Sequence, residues 1–211
     1  VNIRKEKTVE IVEDSVAHLR TEMVEVCRNA FSKGLFAGTS GNLSVLLKDA
    51  GEMLITPTSV RYETMGSEDI VRMKLDGTVI EGSHRPSSEW QMHAVIYEKC
   101  PQAGSVFHTH SPYATSFAVI RKTIPLVLIE MKPFLGGELD CARFEKPGTR
   151  DLGLSAIEVF GKGRNACLLA SHGVITIGTN LAQSFIRAEY VEDAANIYHK
   201  ALQVGEPVIL A

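Results

Sequence analysis

Ser105-Val106-Phe107-His108-Thr109-His110-Ser111-Pro112-Tyr113 is the stretch that organises this chain. Residues 104–110 have the apolar, β-branched character of a short buried strand. Pro112 suits the first turn of a following helix, where its missing N–H is not needed. His108 and His110 are two residues apart, so on a strand both imidazoles point to one face. Imidazole is the commonest protein ligand for zinc and similar ions. A single buried histidine is more often a satisfied core residue, but two on one face each need a partner. Spacing alone leaves both readings open.

Outward from this stretch, strands and helices intersperse. Val12, Val16, Leu19, Met23, Val26 and Cys27 recur at three- and four-residue steps, which predicts one or two helices over 9–33, stopped at Gly34. Gly38–Asn42 reads as a loop and Leu43–Leu46 as the start of a strand, with a turn over 48–51 and a second strand over 53–56. Asp76-Gly77 between apolar runs 70–75 and 79–81 is a hairpin signal. Helices are predicted over 89–99, after Ser87-Ser88, and over 112–120. Short strands are predicted over 126–129 and 140–143. A loop over 148–151 leads into a helix through Phe160. Two apolar strands, 166–170 and 174–177, flank Ser171-His172-Gly173. A long final helix covers 180–204 and ends at Gly205. The pattern is α/β or α+β, a mixed sheet covered by helices. No linker divides it, so one domain over 1–211 is expected.

The 211 residues are 45% hydrophobic and 22% charged, an ordinary globular composition. The net charge of −3 comes without a basic block, so nothing favours nucleic acid or an anionic membrane as partner. No apolar run is long enough to span a bilayer. The charged start Val-Asn-Ile-Arg-Lys-Glu-Lys lacks a signal-peptide core, and a cytoplasmic location is expected. The four cysteines, Cys27, Cys100, Cys141 and Cys167, are widely separated and read as reduced thiols.

His172 is the candidate third ligand, because a bend between two strands can project an imidazole into a cleft. Three histidines with an open position are the pattern of a catalytic zinc site. Glu89 is the candidate acid/base. A helix start favours its charged form, while burial beside Trp90 opposes it. Three loops are rich in small polar residues suited to an anion: Gly38–Asn42, Thr56–Ser59 and Ser87-Ser88. None has the Gly-Lys-Ser/Thr of a nucleotide P-loop. Each loop also reads as an ordinary turn or cap.

Taken together, Gly-Thr-Ser-Gly-Asn-Leu-Ser (38–44), Ile-Thr-Pro-Thr-Ser (55–59), Pro-Ser-Ser-Glu-Trp (86–90), His-Thr-His-Ser (108–111) and Ser-His-Gly-Val (171–174) resemble the class II aldolase/adducin family, and within it the bacterial aldolases of L-fuculose 1-phosphate type. The resemblance implies a single-domain three-layer α/β sandwich with a mostly antiparallel central sheet. It implies a cytoplasmic homotetramer holding one Zn²⁺ per subunit on His108, His110 and His172. Glu89 is then the acid/base, and Gly41, Asn42, Thr58, Ser59, Ser87 and Ser88 bind the substrate phosphate. The implied reaction is retro-aldol cleavage of a ketose 1-phosphate to dihydroxyacetone phosphate and an aldehyde.

The alternatives within this resemblance are a 4-epimerase of a pentulose 5-phosphate and another lyase working by the same metal chemistry. Such epimerases generally carry Asp where Glu89 stands. A non-catalytic adducin-like protein would be expected to have lost the metal ligands. Ser59 stands where several aldolases have glycine, and the family tyrosine expected after Pro125 is absent from Leu126–Lys132, so the aldehyde end is not assigned.

Overall fold

The computed structural model describes residues 2–210, with side chains from residue 15 onward, so Val12 of the helical pattern lies outside the described side chains. One helix, α1 (Asn2–Ser32), occupies the first predicted segment. Gly34 ends it in the left-handed region at φ 74°. The N–H of Gly34 returns to Phe31 O and that of Leu35 to Ala30 O, so the last carbonyls are satisfied.

The remaining strands and α-helices are β1 (Asn42–Leu47), β2 (Glu52–Ile55), β3 (Val71–Lys74), β4 (Val79–Glu81), α2 (Trp90–Lys99), β5 (Ser105–Thr109), α3 (Pro112–Val119), α4 (Met131–Leu135), β6 (Cys141–Ala142), α5 (Arg150–Phe160), β7 (Ala166–Leu169), β8 (Gly173–Gly178) and α6 (Leu181–Val204). The strands form one 8-stranded sheet in the order β4-β3-β2-β1-β5-β8-β7-β6. All neighbours are antiparallel except β6 and β7. This is the expected mostly antiparallel α/β architecture.

Alternation along each strand builds the layers. On one face Met53, Ile55, Val106, Cys167 and Ile175 pack with Met92, Ile96, Leu152 and Phe160 of α2 and α5. On the other face Leu43, Leu54 and Phe107 meet Met23 and Cys27 of α1. Leu168 and Val174 meet α3 and α6 there. The sheet is therefore sandwiched between two helical layers. Cys27, Cys100 and Cys167 are buried and Cys141 half-buried, all as free thiols. No helix among the described residues is long and apolar enough to cross a membrane.

The expected strand over 126–129 is not formed. Its leucines and valine pack sideways on the cluster under α3 and α6 instead, and the segment turns directly into α4. An apolar run can be satisfied by a helical surface as well as by a sheet edge, and periodicity does not tell the two apart. The short helix α4, closed by Gly136 at φ 86°, follows from this and had no signal strong enough to predict it.

Candidate active site

Strand register gathers the functional residues at one end of the sheet. There β1 and β8 begin while β2, β5 and β7 end. Asn42 lies directly opposite His108, and Ser44 opposite Val106. His108 pairs with Ile175, and Thr109 with Val174. The 3.0 Å bond from Ser87 N to Thr56 O and that from Thr58 N to Arg85 O lay the segment before α2 alongside the end of β2. That contact carries Glu89 over the same sheet end.

His172 arrives through a strained turn. Ser171 holds φ 55° between β7 and β8, and its N–H bonds to Ala118 O at 3.0 Å. Non-glycine residues in this region persist where their surroundings over-determine them, and they cluster at functional sites. Gly173 follows because nothing larger fits: a Cβ there would stand 2.3 Å from Thr109 O.

One nitrogen from each of His108, His110 and His172 lies within 4.8 Å of the others, a group that could hold a metal ion. Ring centroids are 4.7 Å apart for His108–His172, 4.8 Å for His108–His110 and 5.1 Å for His110–His172. His108 Nδ1 is 2.8 Å from Val174 O. A carbonyl only accepts, so Nδ1 carries a proton and Nε2 faces the cluster. That Nε2 is 3.0 Å from His110 Nε2 and 3.1 Å from Glu89 Oε2.

Burial, with the neighbouring His108 adding to it, pushes His110 and His172 down to about 4. Burial pushes Glu89 up, but His108, His172 and the Asn42 amide outweigh it and hold this carboxyl well below the usual range. His110 and His172 are therefore neutral and Glu89 ionised, and their electron pairs and the Nε2 of His108 face one point. Glu89 Oε1, 3.4 Å from His172 Nε2, is also buried without a hydrogen-bond partner. Converging acceptors with unmet valences fit a divalent cation.

Beside the histidines is a cavity of about 530 Å³. Its lining includes Gly41, Asn42, Thr58, Ser87, Ser88 and Glu89 with His110 and His172, so all three small-residue loops meet there. Ser59 is exposed and not among the lining residues; it takes up φ 62°, the conformation a glycine would adopt freely. The Asn42 side chain is turned inward to Glu89 and His93.

Lys146 and Thr149, from the loop before α5, also line the cavity and escaped the sequence reading. That loop packs closely, since a Cβ on Gly148 would stand 2.9 Å from Ser88 O. The sequence did carry a partial signal, the Gly148-Thr149 loop with a cationic neighbour. Nothing local tied it to residues sixty positions away.

Residues 21–199 match the model of the class II aldolase and adducin N-terminal domain, and the chain belongs to that family. It is 38% identical over 191 residues to the 5-deoxy-D-ribulose 1-phosphate aldolase of Bacillus thuringiensis serovar kurstaki, covering 90% of this chain and 89% of that one. Identity to the L-fuculose phosphate aldolase of Escherichia coli (strain K12) is 34%, over 90% of this chain and 86% of that one. A solved structure of an L-fuculose 1-phosphate aldolase superposes with a TM-score of 0.87 at 34% identity, covering 92% of this chain and 91% of that one. The chain is thus a class II aldolase, one of a metal-dependent class of aldehyde-lyases.

Proposed function

We propose that this enzyme cleaves a deoxyketose 1-phosphate, of the L-fuculose 1-phosphate or 5-deoxypentulose 1-phosphate kind, into dihydroxyacetone phosphate and a short aldehyde. The observation that carries this reading is the convergence of three imidazoles and one carboxylate beside a cavity lined by small polar loops. Similarity to aldolases of both substrates supports the reaction type.

His108, His110 and His172 would hold the ion, Zn²⁺ by the nature of an all-imidazole set. Bound there, a divalent cation supplies Lewis-acid stabilisation of negative charge developing on the substrate's oxygens. The bond from His108 Nδ1–H to Val174 O fixes that ring's tautomer and orientation.

The chain's own groups do the rest. Gly41, Thr58, Ser87 and Ser88 offer N–H and hydroxyl donors to the phosphate, a binding contact remote from the reacting bond. Lys146 at the rim adds a positive charge. Holding the phosphate places the C3–C4 bond next to Glu89. In cleavage the C4 hydroxyl proton passes to the Glu89 carboxylate as the aldehyde C=O forms, the C3–C4 bond breaks with its electron pair staying on C3 of the dihydroxyacetone phosphate half, and Glu89 then delivers that proton to C3. In the synthetic direction the Glu89 carboxylate removes that proton. Oε2 is held by Asn42, which leaves Oε1, the oxygen without a hydrogen-bond partner, to carry the proton.

The same reading takes the chain as one catalytic domain working in the cytoplasm as a homotetramer. Light scattering that returned a monomer mass would overturn the assembly. For the activity, purified enzyme of measured metal content is offered a panel of ketose 1-phosphates, and free dihydroxyacetone phosphate is quantified. Its release only with metal bound is the expected result. Interconversion of pentulose 5-phosphates with no triose released would replace the aldolase reading with the epimerase one.

A further inference from the structure

Behind Glu89 runs a buried polar chain that the proposed reaction does not use. Glu89, His93 and Tyr97 are four residues apart and share one stripe of the α2 surface. Asn42 and Ser44, two apart on β1, face that stripe. The two rows interlock. Tyr97 OH is 2.7 Å from Ser44 Oγ, and Ser44 Oγ 2.7 Å from His93 Nδ1. His93 Nε2 is 2.5 Å from Asn42 Oδ1, and Asn42 Nδ2 is 2.9 Å from Glu89 Oε2. Every member is buried, from 0% exposure for Ser44 and His93 to 7% for Glu89.

The direction of each bond follows from the carboxylate. An ionised carboxylate only accepts, so Asn42 must turn its NH₂ to Glu89. Its carbonyl oxygen then faces His93 and can only accept, so His93 carries its proton on Nε2. Nδ1 becomes an acceptor and receives a hydrogen bond from the Ser44 hydroxyl, and Ser44 in turn accepts from Tyr97. Burial pushes His93 down to about 3, which agrees with a neutral ring. The opposite tautomer would flip the amide and set its oxygen against the carboxylate, two acceptors at hydrogen-bond distance.

We propose that His93, anchored by Ser44 and Tyr97, is a positioning residue that locks the Asn42 amide and through it the rotamer of Glu89. The proposal rests on Glu89 being the acid/base. A buried histidine that merely filled space would need neither a fixed tautomer nor a donor chain ending on the reactive carboxylate. Small misplacements of a catalytic group are costly, and partners of this indirect kind are worth about 10–100-fold.

Two measurements test it. In ¹⁵N-histidine-labelled wild-type protein, imidazole shifts and couplings report the His93 tautomer without any turnover; Nε2–H is expected, and Nδ1–H overturns the proposal. In steady-state kinetics normalised to bound metal, His93→Leu is expected to lower kcat by about 10–100-fold while KM for the sugar phosphate stays within about threefold. His93→Gln, which can still donate to Asn42, is expected to recover most of that loss.

A His93→Leu enzyme with near-normal kcat, a loss expressed in KM, or a His93→Gln variant as slow as His93→Leu sinks the idea. If His93→Leu does not fold, Ser44→Ala and Tyr97→Phe replace it, with kcat losses of about 2–10-fold expected and none counting against the proposal. Glu89→Gln is run alongside. A fast Glu89→Gln enzyme would refute the acid/base role itself. A slow Glu89→Gln with an unaffected His93→Leu would refute only the positioning.

Discussion

Replacing Gly173 by alanine tests whether the site is set by the contact between β5 and β8. The added Cβ would stand 2.3 Å from Thr109 O and 3.2 Å from both His108 Cε1 and His110 Cδ2. A carbon–oxygen contact needs about 3.3 Å, so the two strands must separate by about 1 Å. The oxygen belongs to the backbone of a central strand and cannot swing aside as a flexible side chain would. Overpacking of this kind costs about 1–3 kcal/mol. For a chain of this size each kcal/mol moves Tm by about 2–4 °C, which gives an expected drop of about 2–12 °C.

The same displacement falls on two imidazoles, and metal sites tolerate ligand shifts of only about 0.2 Å. Metal affinity is therefore expected to fall by at least about tenfold. Calorimetry of the metal-free protein and a chelator-competition titration read the two effects separately. An alanine variant with unchanged Tm and wild-type affinity would refute the steric argument and the idea that this strand pair sets the ligand geometry.

His110→Ala removes one of the three converging rings and is expected to abolish stoichiometric metal binding and activity; full occupancy measured by elemental analysis would refute the ligand assignment. Glu89→Gln is expected to keep metal and substrate binding yet slow turnover by about 10²-fold or more, read as kcat against KM. Acid should destabilise the metal-free protein partly through His93. An unfolded histidine binds a proton below about 6.5, whereas this one, held down by burial, resists until about 3. The unfolded state thus carries the extra proton between those values, and stability is lost as pH falls through them, at about 1.4 kcal/mol per pH unit. Urea titrations at pH 7 and pH 5 should show the loss, and His93→Gln should flatten it.

Local patterns made much of this legible. The alternation around His108 and His110, the apolar runs flanking His172 and the caps at Gly34 and Gly205 each depend on a few neighbours, so periodicity and turn chemistry reveal them. The run 126–129 misled because an apolar stretch does not say which surface it will cover. Lys146 went unseen because its role depends on where the loop before α5 lands. The spacing of Glu89, His93 and Tyr97 was visible as a helical stripe, but it acquires meaning only opposite Asn42 and Ser44.

Residue order by itself determined most of the sequence of strands and helices, the run 126–129 and the helix α4 apart, together with the pair of histidines on one strand face and the small polar loops, since these follow from backbone geometry over a few residues. Tertiary structure alone decided that Asn42 faces His108, that His172 closes the ring of imidazoles, and that the Asn42 amide points its donor at Glu89. Strand register and side-chain orientation are set by non-local pairing and by the need to satisfy every buried polar atom, and neither is written in any single segment.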